Sequence, residues 1–167
     1  MDLPTFGRPT ITTVGTVFIV KVYYPIFVDL TSKQVILIGA GKVGMRKIRG
    51  LVEAGASVTV VSPASAEPMP DGVKWLQRGY QPGDLQGFFL AFTAANEKSI
   101  NDAVRQEAAA LGIPVNSADD ATLCDFIVPA RLHLQDVQIA VSSGGEDPKR
   151  AAAVRDRIRE FLSEQAS

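Results

Sequence analysis

Residues 34–61 pass from a continuous apolar run, through three glycines, into an amphipathic stretch and out into a second apolar run, and few folds accept that order. Gln34-Val35-Ile36-Leu37-Ile38 has no polar alternation and is rich in β-branched residues, which suits a strand covered on both faces of a parallel sheet. Gly39-Ala40-Gly41-Lys42-Val43-Gly44 follows. The spacing then predicts a helix from Lys42 to about Glu53, with Val43, Ile48, Leu51 and Val52 on its inner side. Gly55 is placed to stop that helix, and Ser57-Val58-Thr59-Val60-Val61 predicts the next strand.

The alternation continues downstream. A short strand is expected at Val73 to Leu76, a buried strand over Phe88 to Phe92, and a helix over Glu97 to Leu111 with Ile100, Val104, Ala108 and Leu111 on one stripe. Gly112 ends that helix, and Ile113-Pro114-Val115 opens another strand. Phe88, Phe89, Phe92 and Trp75 read as core. Strands alternating with helices predict an α/β fold, a Rossmann-type doubly wound parallel sheet. The pattern then changes: Phe126 to Leu134 and Val137 to Val141 read as a hairpin turning at Gln135-Asp136, and a basic helix runs from Pro148 to Leu162. Four segments result: residues 1–22 as a disordered leader or mis-assigned start, 23–115 as a nucleotide-binding domain, 116–147 as a β-rich region, and 148–167 as a C-terminal helix.

A GxGxxG is generic alone, but here it follows a buried strand and opens a helix within one βαβ unit. Gly39 takes the tight turn, Gly41 lets the main chain approach a pyrophosphate, and Gly44 lets helix and strand pack closely. The N–H groups and positive dipole end of the helix then meet the anion, so Gly39 to Gly44, including Ala40, Lys42 and Val43, form the expected cofactor cradle. The acidic residue usual at the end of the second strand is absent, and Ser62-Pro63-Ala64 stands there instead. No arginine adjoins it to hold a 2′-phosphate, which favours NAD. Thr93-Ala94-Ala95 should line the same crevice and leave room for the nicotinamide ribose.

Seventeen basic and eighteen acidic residues give a net charge of −1, so neither nucleic acid nor an anionic membrane is an expected partner. Lys21 and Pro25 interrupt the apolar stretch from Val14 to Val28, short of the roughly 20 residues a membrane span needs. Cys124 is the single cysteine and His133 the single histidine, which excludes an intrachain disulfide and a Cys/His zinc cage and fits a cytoplasmic location. No metal-ligand set is expected. Cys124 reads as a buried small hydrophobe and His133 as a structural residue.

The second half carries the specific motifs. Asn116-Ser117-Ala118-Asp119-Asp120 leads to Leu123-Cys124-Asp125-Phe126-Ile127-Val128-Pro129-Ala130, and Ile139-Ala140-Val141-Ser142-Ser143-Gly144-Gly145 precedes Pro148. With Tyr24-Pro25-Ile26-Phe27 and Arg46-Lys47, these resemble the precorrin-2 dehydrogenase/sirohydrochlorin ferrochelatase family of siroheme synthesis, over roughly Tyr23 to Leu162. The resemblance implies a cytoplasmic homodimer whose β-rich region pairs the subunits, and which oxidises precorrin-2 to sirohydrochlorin with NAD+ accepting the hydride. Some members also insert Fe2+. It implies Asp119 as the acid/base group and places Ser143 at the tetrapyrrole, where Asn116, Ser142, Gly144, Gly145, Lys149 and Arg150 are also expected, as sources of N–H groups, hydroxyls and positive charge for its carboxylates. Three departures stand out: Ala121 where proline is common, Asp147 where serine usually precedes Pro148, and an end at Ser167 where members commonly continue with further helices.

Read by chemistry alone, these residues have plainer roles. Asp119, Asp120 and Asp125 suit turns and caps, Ser142 to Gly145 suits a connector into a helix, and Lys149, Arg150, Arg155, Arg157 and Arg159 suit a solvated face interleaved with Asp156 and Glu160. Two other functions therefore compete with the dehydrogenase: a regulatory NAD-binding module, and a tetrapyrrole binder without turnover.

Overall fold

The computed structural model describes residues 23–165. The leader expected for residues 1–22 lies outside them. Five parallel strands, β1 (Gln34–Ala40), β2 (Ser57–Ser65), β3 (Lys74–Leu76), β4 (Leu90–Thr93) and β5 (Val115–Ser117), form a sheet in the order β3-β2-β1-β4-β5. The helices α1 (Lys42–Glu53) and α2 (Lys98–Leu111) cover it. Alternation along β1 sends Val35 and Leu37 to a cluster with Met45, Ile48 and Leu51 of α1, and Ile36 and Ile38 to a cluster with Val104 and Ala108 of α2. Each such side chain contributes about 1.5–3 kcal/mol by leaving water, which explains why β1 admits no polar residue between Val35 and Ile38. The order of strands reverses direction between β1 and β4, so a crevice opens at their carboxyl ends.

Several sequence expectations are corrected. The Phe88–Phe92 strand begins only at Leu90. Gly87, at φ +81°, turns the chain, and Phe89 is 43% exposed beneath the Lys33 ammonium rather than in the core. Val43 is likewise 43% exposed at the mouth of the glycine turn, and Met45 takes the core position that the stripe had assigned to it. Leu111 is exposed, because the stripe of α2 runs through Asn101, Val104 and Ala108. The second strand continues four residues past Val61, to Ser65, with Ser65 level with Ala40 across a register shift.

The hairpin is real but shorter than its apolar pattern. It comprises β6 (Ala130–Leu134) and β7 (Val137–Val141), with Gln135 at φ +52° in the turn. Residues 126–129 are withheld from it because the Phe126 ring packs edge-on against Phe92 and its carbonyl accepts from Asn116 Nδ2. Arg131 of β6 lies across α1, donating to the Gly50 carbonyl at 3.3 Å, and a Cβ on Gly50 would strike its guanidinium. The final helix, α3 (Pro148–Gln165), packs on both hairpin strands, and Asp147 caps its start by accepting from Arg150 N at 2.9 Å. The charge added at Asp147 is thus used on a helix N-terminus. Among the described residues no helix is long and apolar enough to cross a membrane.

Candidate active site

The carboxyl ends of β1, β4 and β5 set the site. Ile38, Thr93 and Ser117 stand level across the three strands, and the ladder continues with Ala94 N donating to the Ile38 carbonyl at 2.8 Å and Ala118 N to the Thr93 carbonyl at 2.9 Å. Strands lie about 4.8 Å apart, so Asp119, just past β5, is roughly 10 Å from the glycine turn past β1.

The turn is built for close approach. Gly39 holds φ +96°, and a Cβ there would sit 2.5 Å from the Ala94 carbonyl oxygen; a Cβ on Gly44 would strike the Gly39 carbonyl. These two glycines seat α1 on the sheet beside β4. Gly41 differs, since nothing lies within 4 Å of where its Cβ would be. It caps α1 without a side-chain hydrogen bond, and the first turn holds no acidic residue. The leading N–H groups of α1 therefore face an open, positively polarised space that suits a pyrophosphate. These residues fit a dinucleotide.

Ser62 is buried, and its hydroxyl is occupied: it accepts from Ala40 N at 3.1 Å and donates to the Ala64 carbonyl at 2.6 Å. It ties β2 to the glycine turn, while Pro63 and Ala64 lie exposed beside it. Thr93 is buried, with Ala94 and Ala95 half-buried above it.

Asp119 Oδ1 accepts the Ser117 hydroxyl and, at 3.3 Å, Arg105 Nη1. Burial pushes its carboxyl up, but the hydrogen bonds from Ser117 and Asn101 and the charge of Arg105 outweigh this and hold it below the usual carboxylate range. It is an anion at neutral pH. Asp120 turns away to cap the short 3-10 turn Ala121–Leu123, as expected, whereas Asp125 caps no turn and instead accepts from Val115 N at 2.9 Å, tying its loop to β5.

Other expected site residues fall into two groups. Asn116 is buried beneath the crevice, donating to Phe126 O and Cys124 Sγ and accepting from Lys47 Nζ. Lys47 also lies over the Phe92 ring, and burial lowers its pKa against the opposing influence of Cys124. Ser142, Ser143, Gly144 and Gly145 form the turn into α3, with Ser142 Oγ accepting from Gly144 N and Ser143 Oγ from Asp147 N. Lys149 and Arg150 are exposed on the first turn of α3. Arg155 and Arg159 pair with Asp156 instead. Cys124 is 2% exposed, as expected of a core thiol. A surface groove of about 440 Å³ between Tyr80, Gln86 and the Gln106–Leu111 side of α2 contains none of these groups.

Sequence reasoning missed Asn101 and Arg105. Asn101 is 2% exposed; its Oδ1 accepts from Thr93 Oγ1 and Ala95 N, and its Nδ2 donates to the Ala95 carbonyl. It clasps the loop beneath the expected nicotinamide position and also reaches Asp119. The available signal was positional: Asn101 lies three residues before Val104 on an otherwise apolar stripe, and Arg105 lies one turn beyond Asn101. Asn101→Leu keeps the volume but leaves the Ala95 peptide groups without partners. It should destabilise the fold by about 2 kcal/mol and weaken dinucleotide binding, read by thermal melting and by calorimetric titration.

Comparison with known proteins follows the same lines. The siroheme synthase of Stutzerimonas stutzeri (strain A1501) is 39% identical over 145 residues, covering 84% of this chain and 31% of the relative. The siroheme synthase of Azotobacter vinelandii is also 39% identical over 145 residues, with the same coverage. That of Methylobacillus flagellatus is 38% identical over 143 residues, covering 83% and 31%. The chain thus spans about a third of the length of these curated relatives. A solved structure of SirC, precorrin-2 dehydrogenase, matches with a TM-score of 0.69 at 25% identity, covering 86% of this chain and 71% of that one. The resemblance drawn from the motifs is borne out by these relatives. The model of the family described as "Putative NAD(P)-binding" matches residues 26–130, more than half of the chain, and the chain belongs to that NAD(P)-binding family.

Proposed function

We propose that this chain oxidises precorrin-2 to sirohydrochlorin, with NAD+ taking the hydride. The observation that carries the reading is an ionised, hydrogen-bonded carboxylate, Asp119, about two strands from an open glycine turn on the same edge of the sheet. The siroheme synthase relatives and the likeness to SirC supply the substrate class. When bound, the nicotinamide supplies the hydride acceptor. The chain's own residues do the rest. The α1 N-terminus would hold the pyrophosphate, and Asn101, bonded to both peptide groups of Ala95, would hold that loop in place beside the cofactor. Asp119, held ionised, takes the proton that leaves with the hydride. Lys149 and Arg150, exposed on α3, suit the carboxylates of the tetrapyrrole. Conversion under argon tests the reading: precorrin-2, NAD+ and the chain should give the sirohydrochlorin spectrum. NAD+ binding without conversion would instead indicate a regulatory module, and tetrapyrrole binding without conversion a non-catalytic binder.

The site is completed in a homodimer. Leu123 is 46%, Val128 48% and Val137 52% exposed on and beside a hairpin of two strands, a unit that is marginal by itself. A second copy covering this face would remove that apolar surface. Sedimentation should give twice the 17.9 kDa chain mass, and Val137→Glu should return it to a monomer; a wild-type monomer would refute the pairing.

A further inference from the structure

Arg105 projects from α2 with only 12% of its side chain exposed. Its nitrogens divide their work. Nη1 donates to Ser117 Oγ at 2.9 Å and to Asp119 Oδ1 at 3.3 Å, while Nη2 pairs with Asp102 on its own helix. A guanidinium is a rigid plane of donors, so anchoring it at Asp102 and Ser117 fixes where the Asp119 carboxylate can stand. On the assignment of Asp119 as the proton acceptor, we propose that Arg105 is a positioning residue that keeps the Asp119 carboxylate ionised and aimed across the carboxyl edge of the sheet.

Ser117 and Asn101 hydrogen-bond the Asp119 carboxyl, and among the surrounding charged groups Arg105 is the one that adds a favourable charge. From α2, Asp102 stands next to it, with Lys98 engaged on Asp102. From the turn after β5, Asp120 opposes a second anion beside it and is directed to Thr122. From α1, Lys47 meets Asn116 rather than Asp119. Among the described residues Arg105 is the cation that contacts Asp119, and its charge adds to the hydrogen bonds from Ser117 and Asn101. The carboxyl accordingly lies below its usual range.

The experiment uses the full chain as wild type, Arg105→Gln, Arg105→Lys and Asp119→Asn, with two readouts. One is the 13C titration of the Asp119 carboxyl without substrate, assigned by its loss in Asp119→Asn. The other is the pH profile of kcat/KM for precorrin-2 oxidation. Removing the cation weakens the ionised form, so the proton is held to higher pH and the acid limb moves in the alkaline direction. Arg105→Gln should lose roughly tenfold on that limb and stay within about twofold on the plateau, with Arg105→Lys recovering most of the loss. The Asp119 titration should move upward in the same variant. A titration in Arg105→Gln that superimposes on wild type overturns the proposal without reference to activity. A drop equal at every pH also overturns it, since that is what lost packing alone would give. Should Arg105→Gln not fold, Arg105→Met decides on the same readouts: an Asp119 titration and an acid limb both identical to wild type overturn the proposal. Wild-type turnover by Asp119→Asn would instead overturn the assignment of Asp119 itself, and the proposal with it.

Discussion

Asp119→Asn is expected to lower kcat for precorrin-2 oxidation by about 10²- to 10⁴-fold while leaving NAD+ affinity within about twofold. The asymmetry follows from placement. Asp119 lies past β5 and the glycine turn past β1, and the carboxylate's hydrogen bonds go to Ser117, Arg105 and Asn101 rather than to Gly39–Gly44; on the proposed reading it stands on the substrate side of the crevice. Asparagine keeps the shape and can still accept from Ser117 and Arg105, and Arg105 retains Asp102, so the edge of the sheet stays ordered. What disappears is the negative charge that accepts a proton. Kinetics with calorimetric NAD+ titration separate the two effects: equal losses in affinity and turnover would place Asp119 in the cofactor site instead.

Gly41→Val should leave stability within about 0.5 kcal/mol of wild type yet weaken NAD+ binding at least about tenfold. Gly41 has φ −68° and ψ −178°, a conformation any residue adopts, and no protein atom lies within 4 Å of the added Cβ. The protein itself therefore gives no reason for glycine there. On the proposed reading the reason is the space, which a pyrophosphate needs and a valine fills. Gly44→Val is the contrast. Its Cβ would strike the Gly39 carbonyl and press on Leu37, so it should destabilise the fold by about 1–3 kcal/mol or more and lose binding as a consequence. Melting curves with and without NAD+ distinguish the pair. An unchanged affinity in Gly41→Val would remove the glycine turn from the cofactor site.

The strand, turn, helix and strand over residues 34–61 were legible because each piece is local: an apolar run, a glycine turn and a stripe. The errors arose where a tertiary contact overrode a local pattern. Phe89 reads as core by composition but sits outside β4 under Lys33, and Phe126 to Pro129 read as strand but are drawn to Phe92 and Asn116. Asp119 was legible only through its motif, since an aspartate after a strand is ordinary turn chemistry. Its partners were not legible. Arg105 and Ser117 are twelve residues apart in the chain, and only the packing of α2 on β5 brings them together. Asn101 was hidden because a polar residue on an apolar stripe looks like a weak point in a helix until the Ala95 peptide is seen against it.

Hydride transfer from precorrin-2 to NAD+ at the proposed site would fix a one-to-one stoichiometry of products, which can be read in a single experiment. With oxygen excluded, sirohydrochlorin and NADH absorbance are followed together as wild-type chain is added to precorrin-2 and NAD+. The two should rise in a one-to-one ratio, neither should rise when precorrin-2 or NAD+ is omitted, and Asp119→Asn and Gly41→Val should suppress both. Sirohydrochlorin formed without NADH, or at an equal rate when NAD+ is left out, would contradict the hydride transfer.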